Sequence, residues 1–129
     1  MSEAVFTPSA PRPIGPYSQA IRAGNLIFLS GQIPLSPVTN EIVGATAAEQ
    51  ARQALRNLCA VLEAGGASPK DVVKTTIFLV DLSDFSAVNE VYSEFFAGSE
   101  PPARSTVQVS ALPRGVKVEI EAVASLAGR

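Results

Sequence analysis

The chain has 129 residues, 47% of them hydrophobic, which suits one domain spanning residues 1–129 with a core of its own. Ten Lys and Arg stand against 12 Asp and Glu for a net charge of -2, so no long-range field gathers a polyanion and nucleic acid is not the expected partner. The absence of histidine excludes His-ligated zinc or iron, and a single Cys can build neither a thiolate cage nor an internal disulfide.

Acid–base chemistry therefore falls to Asp, Glu, Tyr, Lys, the lone Cys or bound water, most of which need a shifted pKa to work near neutrality. A substrate that is already reactive relaxes that demand. The first residues contain no basic segment followed by an apolar run, and no 18-residue uncharged stretch occurs, so a cytoplasmic protein without membrane contact is expected.

In chain order, Thr7 to Pro16 (TPSAPRPIGP) holds four prolines and reads as a loop. Ser18 to Ala23 and Leu26 to Gly31 flank Gly24-Asn25 and predict a β-hairpin. From about Thr46 to Ala64, apolar residues Ala51, Ala54, Leu55, Leu58, Val61 and Leu62 recur at helical spacing, and Gly65-Gly66 end the run. Cys59 sits beside this stripe and is expected to be an ordinary small core residue.

Asp71 to Val80 (DVVKTTIFLV) is rich in β-branched residues and predicts a central strand buried on both faces. Asp81 to Asp84 offers capping side chains, and Phe85, Val88, Tyr92, Phe95 and Phe96 predict a second amphipathic helix. Arg104 to Ala111 and Val116 to Leu126 alternate in polarity and predict a second hairpin turning at Leu112 to Gly115. The order is two or three strands, helix, strand, helix, two strands: an α+β sheet with both helices on one face.

Four stretches now carry a resemblance: IGPYSQA at 14–20, SGQIP at 30–34, PPARSTVQV at 101–109 and VKVEIEA at 116–122. With KTTIFLVDLSDFSAVN at 74–89, they make the chain similar to the Rid/YjgF family over nearly its full length. The resemblance implies a chorismate-mutase-like fold, a homotrimer whose sheets form a central barrel, and active sites between subunits. It also implies hydrolysis of 2-aminoacrylate, 2-iminopropanoate or 2-iminobutanoate to a 2-keto acid and ammonia, with no cofactor.

On that resemblance Arg104 is the carboxylate anchor, a role that suits a planar guanidinium able to donate two parallel hydrogen bonds. Glu119 would position or deprotonate the attacking water. Alternation alone puts Glu119 and Glu121 on one strand face without choosing between them; the family pattern favours Glu119. Tyr17 and Ser30 would hydrogen-bond around the substrate, Gly31 would allow close backbone approach, and Asn89 would support the pocket. Thr106 stands where many relatives carry Cys, which argues against a thiol nucleophile; a water contact there through the backbone carbonyl would survive the exchange.

If the second hairpin sets Ala111 opposite Val116, then Arg104 faces Val123 and Glu119 faces Gln108. That offset is roughly 13 Å along the strands, too far for one three-carbon substrate, and so predicts a site across a subunit boundary. Two rival functions are an RNA-directed translation inhibitor, for which charge and histidine content speak poorly, and a non-catalytic small-carboxylate binding or chaperone-like module.

Overall fold

A computed structural model describes residues 2–127. Strands β1 (Ser2–Val5), β2 (Ala20–Ala23) and β3 (Leu26–Gln32) run as an antiparallel meander, with Gly24 turning the β2–β3 hairpin at φ 61°. β1 is the third strand that the sequence left open. Helix α1 (Ala47–Ala64) begins at Thr46, whose hydroxyl accepts from the Glu49 backbone N–H at 3.2 Å. The Glu49 carboxylate reaches back to the N–H groups of Ala45 and Thr46 at 2.9 and 3.1 Å, so the first turn is capped from both sides. Gly66, at φ 85°, closes the helix in the left-handed region.

Strand β4 (Val72–Leu79), helix α2 (Phe85–Phe95), strand β5 (Ala103–Gln108) and strand β6 (Val118–Ser125) follow. Asp81 caps only the short turn at Leu82–Asp84, accepting from Ser83 N–H, and α2 continues directly from that turn. Sheet order is β1-β2-β3-β6-β4-β5.

The expected second hairpin does not form. β5 pairs in parallel with β4, Arg104 opposite Thr75, while β6 inserts between β3 and β4, antiparallel to both. Helix α2 is the cause: it carries the chain back to the end where β4 began, so the strand after it must run parallel to β4. Alternation of polarity is the same for either partner and could not reveal this.

Both helices pack on one face of the sheet, an α+β arrangement. Ile27 and Leu29 of β3, Val118, Ile120, Ala122 and Ala124 of β6, and Ile77 and Leu79 of β4 meet Leu55, Leu58, Val61 and Leu62 of α1 and Val88 and Val91 of α2. Each large side chain removed from water this way contributes about 1.5–3 kcal/mol. Among the described residues no helix is long and apolar enough to cross a membrane.

The opposite face is uncovered in the single chain. β4 therefore departs from expectation: Thr75, Ile77 and Leu79 are buried under the helices, but Lys74, Thr76 and Phe78 on its other side are only half-buried. Leu26, Phe28 and Val107 are 39%, 46% and 41% exposed on the same open side. Cys59 departs as well. It lies at the rim of α1 rather than in the core, part-exposed with Sγ 3.8 Å from a Glu63 oxygen, and burial together with the Glu63 charge raises its thiol pKa.

Buried amides fasten the loops that border the open face. Gln19, 1% exposed, donates to the carbonyls of Thr7, Ala10 and Pro11 and accepts from Thr7 N–H, which makes the proline-rich loop an ordered wall. Asn57 donates to the carbonyls of Ile33 and Leu35, and Gln53 to that of Leu35. Gln50 ties Gly44 to Lys117.

Candidate active site

Glu119 is the second residue of β6 and points to the open side, because its neighbours Val118 and Ile120 fill the core. A bulge ends β3 between Leu29 and Gln32 and brings Gly31 against the Glu119 side chain. Tyr17, Ser30, Gly31, Ile33, Pro113 and Glu119 enclose a cavity of about 310 Å³. Glu121, two residues on, is exposed and does not line it.

Burial pushes the Glu119 carboxyl above the ordinary glutamate range, and the nearby Glu121 charge pushes it further. Ser30 donates its hydroxyl proton to Ser18 O at 2.6 Å, and its backbone N–H donates to Gln19 O. Toward the cavity it thus offers lone pairs. Tyr17 follows a tight turn in which its N–H donates to Gly15 O, and its ring is more than half exposed at the cavity mouth.

A Cβ on Gly31 would overlap the Glu119 carboxylate, whereas the Gly31 backbone is ordinary for any residue. Gly31→Ala is therefore expected to fold with nearly unchanged thermal stability, since the flexible end of Glu119 can yield. Turnover should drop roughly a hundredfold once that carboxylate is displaced by an ångström or so. Melting curves and steady-state kinetics on the same preparation test both halves.

Arg104 lies elsewhere. It is the second residue of β5, on the helix side of the sheet, where Nη1 donates to Asn89 Oδ1 at 2.7 Å and the guanidinium carbon stands 4.8 Å from the Tyr92 ring centre and 5.4 Å from that of Phe85. No carboxylate among the described residues forms a salt bridge with it, so the remaining N–H groups and the full charge are available. With Tyr92, Phe96, Pro101 and Pro102 it borders a cleft of about 570 Å³. Thr106 lies two residues further on the same face of β5, and its buried hydroxyl oxygen has no hydrogen-bond partner among the described residues.

Arg104 and Glu119 thus belong to separate hollows on opposite faces of one sheet. Arg104 shares a ladder row with Thr75 and Ala122, three rows from Glu119 and two strands across. At 3.3 Å per row and 4.8 Å per strand, their backbones are on the order of 14 Å apart. The hairpin register used in the sequence reading was wrong, yet the two groups are separated for a stronger reason, the sheet itself. Sequence reasoning missed the Phe85–Tyr92 cradle of Arg104 and the Gln19 clamp. The aromatic spacing on α2 was visible, but it reads equally as core, and half of it is.

A family model described as Endoribonuclease L-PSP matches residues 7–126. A RutC family protein of Pyrococcus horikoshii is 55% identical over 96% of this chain and 98% of its own length. The 2-iminobutanoate/2-iminopropanoate deaminase of Dermatophagoides farinae is 51% identical over 92% of each chain. The crystal structure of Escherichia coli TdcF with bound serine superposes with a TM-score of 0.92 at 46% identity, over 95% of this chain and 98% of that one. This chain belongs to the Endoribonuclease L-PSP family, the family of the YjgF and Rid proteins.

Proposed function

We propose that this protein hydrolyses 2-imino and enamine acids such as 2-aminoacrylate, 2-iminopropanoate and 2-iminobutanoate to 2-keto acids and ammonia. The observation that carries the reading is a half-buried, base-shifted Glu119 in a small cavity, complemented by an arginine with no acidic partner. Deaminase names among the relatives support it, as does the amino acid bound in TdcF.

In the mechanism Arg104, aimed by Asn89 and two aromatic rings, takes the substrate carboxylate through parallel N–H donors. Glu119 removes a proton from water as its oxygen attacks C2, and the C=N bond becomes a C–N single bond. The proton passes from Glu119 to nitrogen; Glu119 then takes the proton of the new hydroxyl and hands it to the same nitrogen, so that as the C–N bond breaks ammonia leaves and the hydroxyl oxygen becomes the carbonyl. Ser30 accepts from the imine N–H, Tyr17 closes the mouth, and the Thr106 backbone carbonyl holds the water. An imine carbon is already electrophilic, so placement supplies most of the acceleration.

Because Arg104 and Glu119 face apart in one chain, the site requires a second subunit, and a homotrimer with sites at its boundaries fits. The exposed Leu26, Phe28 and Val107 on the open face and the unpaired outer edge of β5 support such an assembly. An RNA-directed role gains nothing from a net charge of -2 and no histidine.

The test is 2-keto-acid formation from 2-iminobutanoate generated in situ by a dehydratase. Acceleration by the wild type that Arg104→Ala abolishes is the expected result. A folded oligomer that binds 2-oxobutanoate but accelerates nothing would replace the enzyme with a binding protein.

A further inference from the structure

The Glu119 cavity does not end at its own walls. Tyr17, Gly31, Ile33 and Pro113 also border a second hollow of about 410 Å³ that runs on toward Pro11, Ile14 and Leu35. That volume is in the range of a small-molecule site and exceeds what a three- or four-carbon acid needs beyond the reacting centre. Its lining is mostly apolar, with the amides of Gln19 and Gln32 among it. Its charged lining residues are both cations, Arg12 and Arg114, and no acid is among the residues that line it.

Among the described residues neither guanidinium has a carboxylate in salt-bridge distance. Arg114 Nη1 donates to the backbone carbonyl of Asn40 at 3.1 Å, and Arg12 rests 5.8 Å from the centre of the Phe6 ring. The one ion pair among the described residues, Arg52–Glu94, belongs to other elements. Each arginine is held by a partner that leaves its charge intact: Gln19 bonds the carbonyls of Ala10 and Pro11 beside Arg12, and Asn57 bonds those of Ile33 and Leu35 in the segment whose Asn40 carbonyl accepts from Arg114. Two guanidinium groups without an acidic partner, bordering one mostly apolar hollow, match an anion at the end of a short methylene chain.

We infer that this hollow is a side-chain subsite selecting 2-imino dicarboxylic acids, with Arg12 and Arg114 receiving the distal carboxylate while C2 stands at Glu119. The inference rests on the deaminase reading for the placement of C2. The substrate would then reach a cation at either end, Arg104 for the carboxylate beside the imine and the Arg12–Arg114 pair for the other.

Binding and turnover separate the two readings. Affinities of the intact oligomer for 2-oxopentanedioate and 2-oxohexanedioate are measured by calorimetry against 2-oxopentanoate and 2-oxohexanoate, in wild type and in the Arg12→Gln/Arg114→Gln double variant. Alongside, 2-iminobutanoate hydrolysis is followed in both proteins. We expect the diacids to bind roughly tenfold to a hundredfold more tightly than the monoacids of equal length, the value of one or two charge-assisted hydrogen bonds. In the double variant that preference should vanish, with 2-iminobutanoate turnover within about twofold of wild type. Equal binding of diacid and monoacid, or a preference that survives the double substitution, overturns the subsite whatever the turnover. Diacid preference without any imine hydrolysis overturns the deaminase reading and leaves the anion subsite in place.

Discussion

Glu119→Gln is expected to lower 2-iminobutanoate hydrolysis by roughly 10²- to 10⁴-fold, the contribution of a placed general base, while making the fold slightly more stable at neutral pH. The two effects share one cause. Burial and the Glu121 charge disfavour the ionised form of Glu119, so its pKa in the folded protein is above its unfolded value. The folded state then holds that proton more tightly, and stability falls as pH rises from the unfolded pKa through the folded one. Gln carries no such charge. Denaturation midpoints should therefore favour Glu119→Gln at pH 7 and converge with wild type once the medium is acid enough to protonate the carboxylate in both states.

The same shift governs catalysis. Wild-type kcat/KM should fall on the acid side through a pKa above the ordinary glutamate range, because only the ionised carboxylate accepts a proton. Glu121→Gln should move that limb to lower pH, since it removes the second cause of the shift. A limb that stays in place with Glu121→Gln, or Glu119→Gln that keeps wild-type turnover, would remove Glu119 from the chemistry.

Mixing two dead variants should restore activity. Arg104→Ala and Glu119→Gln are each expected to be inactive alone, the former by roughly a hundredfold or more, because it deletes the bidentate anchor and its charge. If every site takes Arg104 from one subunit and Glu119 from the next around a closed ring, random exchange of equimolar variants leaves about a quarter of the sites with both groups intact. Activity recovered toward that fraction after refolding together, and absent when the variants are refolded separately and then mixed briefly, supports the intersubunit site. Recovery of none would place both groups' roles within one chain or remove one of them. Arg104→Lys should not rescue, because an ammonium lacks the fork and cannot stack between Phe85 and Tyr92 as a plane.

Much of this was legible in the residues. The apolar spacing from Ala51 to Leu62, the Gly65-Gly66 stop, and the Phe85 to Phe96 pattern defined both helices within a residue or two of where they form. Alternation in VKVEIEA also told which side chains of β6 share a face, because successive Cβ atoms of any strand point to opposite sides. The motif stretches pointed to the family, and with it to Arg104 and Glu119 as a pair worth bringing together.

Strand partnership was not legible, since the hydrogen-bonding groups of a backbone are the same whichever neighbour they meet. Only the packed α2 crossover decided that β5 lies parallel to β4 and that β6 enters between β3 and β4. From that arrangement alone follow the opposite orientations of Arg104 and Glu119, the closeness of Gly31 to the carboxylate, and the convergence of Arg12 and Arg114 from loops about a hundred residues apart. Local sterics set the elements and their faces; long-range closure of the chain around a shared core set which faces look at each other.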